Sequence, residues 1–165
     1  MFFNNYKEFL NKFLQKINDL EIDISKYDLD HLGYQASSNE EYDQIKPEVI
    51  KIADLMSENM VGGRRVGVFK LHEPLRYKHY VIEAFELIAP KAGQICPSGL
   101  DHAEFVIDQK FNEFMARYPE INWDISAVNQ PVFPMVKLNF GDNMTAKFHY
   151  EPVLKIISKE QNFNK

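Results

Sequence analysis

The chain has 165 residues, with 45% hydrophobic and 26% charged side chains, proportions typical of a folded globular protein with one domain. No apolar run approaches the roughly 18 residues that cross a bilayer, so no membrane partner is expected. The formal net charge of -5 and the absence of a Lys/Arg cluster longer than Arg64-Arg65 exclude nucleic acid as the main partner, because neutralising phosphates requires a basic surface.

A single cysteine, Cys96, excludes an internal disulfide. The first residues carry aromatic side chains before any charge and acidic side chains soon after, unlike a secretory signal with its basic start and apolar middle. Both features predict a cytoplasmic protein.

An amphipathic helix is predicted ahead of the main fold, because apolar residues recur every three or four positions from residue 6 to residue 20. This helix lies within an N-terminal extension of residues 1–26. Residues 29–35 then alternate between two faces as a strand requires, which places His31 and Gln35 on the same face.

A second helix is predicted after this strand. Ser38 and Glu41 form a Ser-x-x-Glu capping pattern, and the helix should run from there to about Met56, bent or restarted at Pro47.

Two further strands are predicted over residues 64–71 and 80–88, which are rich in β-branched and aromatic side chains. A turn at residues 72–74 should separate them. Residues 27–98 therefore form a first module of a strand, a helix and two or three strands.

A second module, residues 99–158, repeats that order. A strand over residues 100–107 precedes a helix that Asp108 caps and Pro119 ends. The remaining predicted elements are strands over residues 123–128, 135–140 and 144–150, with a turn at 141–143, then a short helix over 153–158 and a polar tail at 159–165. The predicted architecture is an α+β fold in which tandem βαβββ modules form one cup-shaped mixed sheet within a single domain, residues 1–165.

The duplication repeats residue types that bind metals. Leu-Asp-His occurs at residues 29–31 and again at 100–102, and a segment centred on phenylalanine at 84–86 matches one at 147–149. Strand alternation places the candidate ligands on the face opposite the aromatic side chains. If each module curls into half a cup, four side chains converge at its floor: His31, Glu86, His102 and His149.

Imidazole and carboxylate ligands together suit a borderline divalent ion such as zinc, iron(II), manganese or nickel, and they disfavour copper(I). A fourth ligand from His149 would close a tetrahedral zinc but leave openings on a five- or six-coordinate ion. The alternative for each histidine is a structural, hydrogen-bonded role, which is the commoner fate of a lone histidine in a strand.

Glu104 lies two residues after His102 on the same predicted face. It could bind the ion, transfer a proton as the catalytic residue, or hold a ligand in place, and we favour the last two roles.

Several short motifs of this chain resemble the bacterial YecM-like family. They are Asp30-His31, residues 57–60 with Gly63-Arg64, the run Phe69-Lys70-Leu71-His72-Glu73-Pro74, Glu86-Leu87, Asp101-His102 with Glu104, and Lys147-Phe148-His149. That family falls within the vicinal oxygen chelate superfamily, which includes glyoxalase I, extradiol dioxygenases and antibiotic-resistance proteins. The resemblance covers about residues 27–152.

In that superfamily, the first and last strands of each module hold the metal, which implies His31 and Glu86 from the first copy and His102 from the second. The last position is typically Glu in the enzymes, whereas this chain has His149.

The resemblance implies a metal-dependent isomerase, lyase or dioxygenase that acts on a small oxygen-bearing substrate at a divalent ion. The alternative is a protein of the same fold that sequesters a small molecule without turnover. Either protein would be a monomer or a homodimer. Likeness of fold supports the class of protein and leaves the reaction open.

Overall fold

The structure, a computed structural model, describes residues 3–163. In chain order its elements are α1 (Tyr6–Asp19), β1 (Asp28–Gln35), α2 (Asn39–Ile50), β2 (Ala53–Val61), β3 (Arg64–Tyr77), β4 (Tyr80–Ile88), β5 (Gly99–Val106), α3 (Phe111–Ala116), β6 (Met135–Asn139), β7 (Thr145–His149) and α4 (Val153–Phe163). None of the described helices has the length and apolar character needed to span a bilayer.

The strands form one mixed sheet in the order β2-β3-β4-β1-β5-β7-β6. Strand β1 pairs in parallel with β4, β5 pairs in parallel with β7, and an antiparallel β1–β5 pair joins the two modules. The first and last strands of both modules therefore occupy the four inner positions. This arrangement confirms the predicted α+β fold with both modules in one sheet.

One face of the sheet packs against α1 through aromatic side chains. The ring of Phe13 on α1 lies 6.1 Å from that of Phe105 on β5, which stacks on Phe148 of β7 at 5.6 Å. Because neighbouring residues of a strand point to opposite faces, this packing turns Glu104 and His149 to the other face. The aromatic core thus fixes which side chains meet in the site.

Helix α2 ends at Ile50, earlier than the predicted end near Met56. Pro47 lies inside it without a break, and a strand not predicted from the sequence, β2, begins at Ala53. Strand β2 pairs with β3 as a hairpin across the two-residue turn at Gly62-Gly63, so pairing with the next strand overrides the local helical pattern in this segment.

The predicted turn at residues 72–74 was also wrong, because β3 continues through it to Tyr77. The ladder between β2 and β3 ends at Leu71, and the pairing of β3 with β4 shifts register between Lys70 and Leu75. Pro74 falls in this interruption, where its missing N–H costs no ladder hydrogen bond.

The second module is shorter than predicted. Residues 123–128 form no strand, and the segment contributes one isolated bridge, between Asp124 and Lys137. The Asp124 carboxylate instead accepts the backbone N–H of Ser126, a local turn that competes with strand pairing. Helix α3 begins after Lys110, so the predicted cap at Asp108 was wrong too.

The last helix is longer than the predicted span of residues 153–158. Helix α4 runs through Phe163, across most of the segment predicted as a polar tail. Val153 and Ile157 pack with Val68 and Ala84 of the first module. The C-terminal helix therefore lies against the first module on the site face of the sheet.

The capping pattern of α2 is confirmed, with an additional role for Glu41. The Ser38 hydroxyl accepts the Glu41 N–H at 3.0 Å, while the Glu41 carboxylate accepts the Ser37 N–H and the hydroxyls of Ser37 and Ser98. Burial alone would raise the pKa of Glu41, but these hydrogen bonds together lower it. The carboxylate thereby ties α2 to the segment that leads into β5.

We expect Glu41→Gln to lower the free energy of unfolding by no more than about 1 kcal/mol at pH 7, since solvent screens this partly exposed group. A carboxyl whose pKa is lowered on folding stabilises the protein above its unfolded pKa, and this contribution disappears as pH falls through the folded pKa. Urea unfolding at pH 7 and at pH 3 should therefore show a smaller difference from wild type at pH 3. The neighbouring exposed Glu40, in Glu40→Gln, is the control, and an equal loss at both pH values would contradict the assignment.

Candidate metal centre

Five ionisable side chains meet on the concave face of the inner strands. His31 comes from β1, Glu86 from β4, His102 and Glu104 from β5, and His149 from β7, and all five are buried. The structure therefore brings together every site residue predicted from the sequence. One ligand atom from each of His31, Glu86, His102 and Glu104 lies within 4.8 Å of the others, and His149 forms a second group of this spacing with Asp30 and His31.

Gly33 makes this convergence possible. It pairs with Glu86 on one side and with His102 on the other, and the His102 imidazole lies across the Gly33 backbone. A Cβ built at Gly33 would overlap that ring. The glycine is required here for close approach of a side chain, since its φ angle is not positive.

Two aspartates hold the histidines in one tautomer. His31 Nδ1 lies 2.8 Å from Asp30 Oδ2, and His102 Nδ1 lies 2.7 Å from Asp101 Oδ1. An ionised carboxylate only accepts hydrogen bonds, so each Nδ1 carries the proton and each Nε2 turns its lone pair into the site. Sequence reasoning missed this role, although the repeated Asp-His pair was its signal.

His149 is held in the same way by the backbone. Its Nδ1 lies 2.8 Å from the carbonyl oxygen of Glu151, so Nδ1–H donates and Nε2 faces the site. The Phe133 ring packs against His149 at 4.6 Å between ring centroids. Three imidazoles thus turn their Nε2 atoms toward one region.

The inward nitrogens face carboxylate oxygens, which also carry lone pairs. His31 Nε2 lies 3.3 Å from Glu104 Oε1 and 3.5 Å from Glu86 Oε1. His149 Nε2 lies 3.2 Å from Glu104 Oε2, and both atoms, like His31 Nε2, have no hydrogen-bond partner among the described residues. Lone pairs facing each other at this distance repel, so the arrangement requires a cation, a proton or a metal ion, between them.

The electrostatics of the site favour positive charge. Burial alone would lower the pKa of His31, but the negative charges of Glu104 and Glu86 outweigh it and raise that pKa well above its usual value. Burial would raise the pKa of Glu104, but His31 and Lys147 hold it well below the usual range. Both carboxylates therefore stay ionised at neutral pH.

Lys147 is the one permanent cation in contact with Glu104 among the described residues. Its Nζ lies 2.8 Å from Glu104 Oε1. Burial would lower the pKa of Lys147, but the carboxylates of Glu104 and Glu86 raise it, so the ammonium persists. This single charge leaves a second carboxylate to be balanced by a proton on an imidazole or by a bound cation.

The donor set therefore fits a divalent metal ion. It combines imidazoles, ionised carboxylates, inward-facing atoms without hydrogen-bond partners, and outer hydrogen bonds that hold the imidazoles in place. A cavity of about 940 Å³ opens above the cluster, with Glu86, Glu104 and Lys147 in its lining. Its apolar wall includes Val66 and Phe133, while His149 lies outside the lining.

The sheet order and the buried His/Glu cluster define a class of protein, the vicinal oxygen chelate fold. The chain belongs to the YecM family, whose model, described as YecM protein, matches residues 1–133. It is 28% identical over 102 residues to Protein YecM of Escherichia coli K12, covering 59% of this chain and 54% of that relative. An uncharacterised protein of Haemophilus influenzae is 26% identical over 113 residues, 66% of this chain and 59% of that relative. The chain thus spans little more than half the length of these curated relatives.

Solved structures share the fold. One described as Structural Genomics, Protein EC4020, superposes with a TM-score of 0.76 at 24% identity, covering 93% of this chain and 90% of that one. Methylmalonyl-CoA epimerase of Streptomyces coelicolor, in complex with 2-nitronate-propionyl-CoA, superposes with a TM-score of 0.55 at 10% identity, covering 77% of this chain and 96% of that one. This likeness establishes a shared fold.

We expect Gly33→Ala to weaken zinc binding at least about 10-fold, because the added methyl group must displace the His102 ring. Competition with a chromophoric chelator measures the affinity. Gly67→Ala is the matched control, since its Cβ would lie 2.6 Å from the Tyr42 hydroxyl, away from the site. Equal zinc affinity in wild type and Gly33→Ala would contradict a ligand role for His102.

We also expect Asp30→Ala and Asp101→Ala each to weaken zinc binding by about 10- to 100-fold, the usual effect of losing an outer partner of a ligand. Only Asp30 also binds α4, because its Oδ2 accepts the Val153 N–H at 2.9 Å. Amide exchange at Val153 should therefore accelerate in Asp30→Ala and stay unchanged in Asp101→Ala. Acceleration in both variants would show that α4 responds to general destabilisation instead.

Proposed function

We propose that the protein is a metal-dependent enzyme of the vicinal oxygen chelate type, acting on a small oxygen-bearing substrate at a divalent ion. The observation that supports this most directly is the set of unpartnered atoms, His31 Nε2, His149 Nε2 and Glu104 Oε2, facing one another in the buried floor of an open cavity. A structural cluster would pair such atoms with donors.

His31, Glu86 and His102 are the proposed common ligands, in accord with the sequence prediction. For the remaining two residues the lining of the cavity guides the assignment. Glu104 lines the cavity and can meet a substrate, whereas His149 lies outside that lining, with its Nε2 3.2 Å from Glu104 Oε2. We therefore assign His149 as the fourth ligand and Glu104 as the residue that holds and transfers a proton.

A bound divalent ion would supply a Lewis acid that polarises the oxygen atoms of the substrate. The chain supplies the rest of the chemistry. His31 and Lys147 keep Glu104 ionised, and Lys147 holds Oε1, which leaves Oε2 as the atom that can accept a proton from a substrate. Val66 and Phe133 contribute an apolar part of the cavity wall.

The second candidate is a protein that sequesters a small molecule in the same cavity without turnover. The buried, ionised Glu104 carboxylate favours the enzyme, because a binding protein needs no buried proton acceptor beside the ion. The epimerase neighbour, crystallised with a CoA ester, is a precedent for a small-molecule ligand in this fold. The curated relatives are bacterial, and we place the protein in the bacterial cytoplasm.

Metal analysis of protein purified without chelators or nickel columns, followed by zinc and manganese titrations, tests the proposal. Wild type should bind about one ion per chain. Glu86→Gln and His149→Ala should lose more affinity than the roughly 10- to 100-fold expected for an outer partner, because each removes a ligand. Glu104→Gln should retain the ion, since its proposed role is proton transfer.

His72→Ala is the control, because His72 pairs with Asp54 and lies outside the cluster. Failure of wild type to bind any divalent ion would refute the proposal. Loss of affinity in Glu104→Gln as large as in Glu86→Gln, with none in His149→Ala, would exchange the two assigned roles. Relaxation of bulk water by the bound manganese would show whether the ion keeps the open position that catalysis needs.

A further inference from the structure

Arg64 lies at the start of β3 and lines both the main cavity and a neighbouring one of about 500 Å³. Its Nη1 lies 3.4 Å from Gln35 Oε1. The Gln35 side chain is buried, and its Nε2 donates to the carbonyl oxygens of Ala36 and Ile88, which fixes Oε1 toward the guanidinium. A neutral amide thus positions Arg64 without neutralising it.

Most other charged groups around the two cavities are already paired. The pairs are Lys147 with Glu104, Lys137 with Asp124, Asp142 with Lys16, Asp101 with His102, and Glu58 with Lys46. Within residues 3–163, Arg64 has no carboxylate at ion-pair distance, and neither does the lining residue Lys91. Glu160 on α4 also lines the cavity without an ion pair, and it makes none with Arg64.

Arg64 is separated from the proposed metal centre by the part of β1 that runs from His31 to Gln35. Gln35 follows His31 by four residues on β1, about 13 Å along an extended strand at roughly 3.3 Å per residue. Gly33 lies between them, crossed by the His102 ring. The cavity floor therefore carries a cation-requiring cluster at one end and an unpaired guanidinium at the other.

We propose that Arg64 binds a distal anionic group, carboxylate or phosphate, of a small organic acid whose other end carries the oxygen atoms bound at the metal centre. This inference rests on the proposed function and names its substrate class. A guanidinium offers parallel N–H donors that match a carboxylate or a phosphate in two-point hydrogen bonding. With Glu86 and Glu104 neutralised by a divalent ion, Lys147, Lys91 and Arg64 leave the lining with an excess of positive charge that an anionic ligand would balance.

The test uses manganese-loaded protein and three acids that share a 2-hydroxy-acid end. They are 2-hydroxyglutarate, with a distal carboxylate, 2-hydroxy-4-phosphonobutyrate, with a distal phosphonate, and 2-hydroxypentanoate, with no distal charge. Calorimetric titration should show at least about 10-fold tighter binding of one of the two dianionic probes than of 2-hydroxypentanoate, the gain expected from a charge-assisted bond. The dianionic probe with the larger gain in affinity over 2-hydroxypentanoate identifies the anionic group.

Arg64→Gln should abolish this preference and leave the affinities for manganese and for 2-hydroxypentanoate unchanged. Arg65→Gln is the matched control, because Arg65 pairs with Asp43 and covers the Tyr42 ring on the opposite face, and it should keep the preference. Arg64→Lys keeps the charge and should retain part of it.

The outcomes separate this inference from the function on which it rests. Protein that binds no manganese refutes both. Protein that binds manganese but prefers neither dianionic probe, or that binds none of the three acids, refutes the role of Arg64 alone. A preference that survives in Arg64→Gln, or is lost equally in Arg65→Gln, refutes it as well.

Discussion

Lone pairs of nitrogen and oxygen atoms face one another in the interior of the protein, and the structure depends on how their repulsion is offset. Three imidazole nitrogens and two carboxylates point at one region from four strands, and one ammonium is the sole fixed cation in contact with them among the described residues. Such a cluster is unfavourable in a low-dielectric interior unless positive charge occupies it. The aromatic core on the opposite face and the outer aspartates hold the groups together against that repulsion. Stability of the fold and affinity of the site for a cation are therefore linked.

The two modules hold their first histidine in the same way but differ in the charge of one residue on the last strand. Each copy begins with an Asp-His pair whose aspartate sets the tautomer of the histidine. Each copy ends with a proposed ligand on its last strand, but Glu86 in the first is replaced by His149 in the second, with Lys147 two residues before it. The second copy thus contributes less negative charge from that strand, while Glu104 restores a carboxylate from the neighbouring one. The site keeps its charge although the repeat is imperfect.

Strand alternation allowed most of the site to be predicted from the sequence. A period of two fixes the face of every residue once a strand is recognised, so His31, Glu86, His102 and Glu104 could be grouped before any coordinates. The course of the chain between residues 50 and 77 could not be predicted from local patterns, because the helical pattern and the turn residues at 72–74 masked two hairpins with two-residue turns at 62–63 and 78–79. Nor could the role of Asp30, since it depends on the approach of α4, whose N-terminus is distant in sequence.

The irregular segment between α3 and β6, where a strand was predicted, forms part of the wall of the main cavity and so affects which ligands can bind. Ala127, Gln130 and Phe133 from this stretch line the main cavity, and Phe133 also covers His149. Loops tolerate insertions and substitutions far better than paired strands do. Relatives of this chain can therefore reshape the wall that contacts a ligand by altering a single loop, while the inner strands that present the ionisable groups remain under the constraint of the sheet.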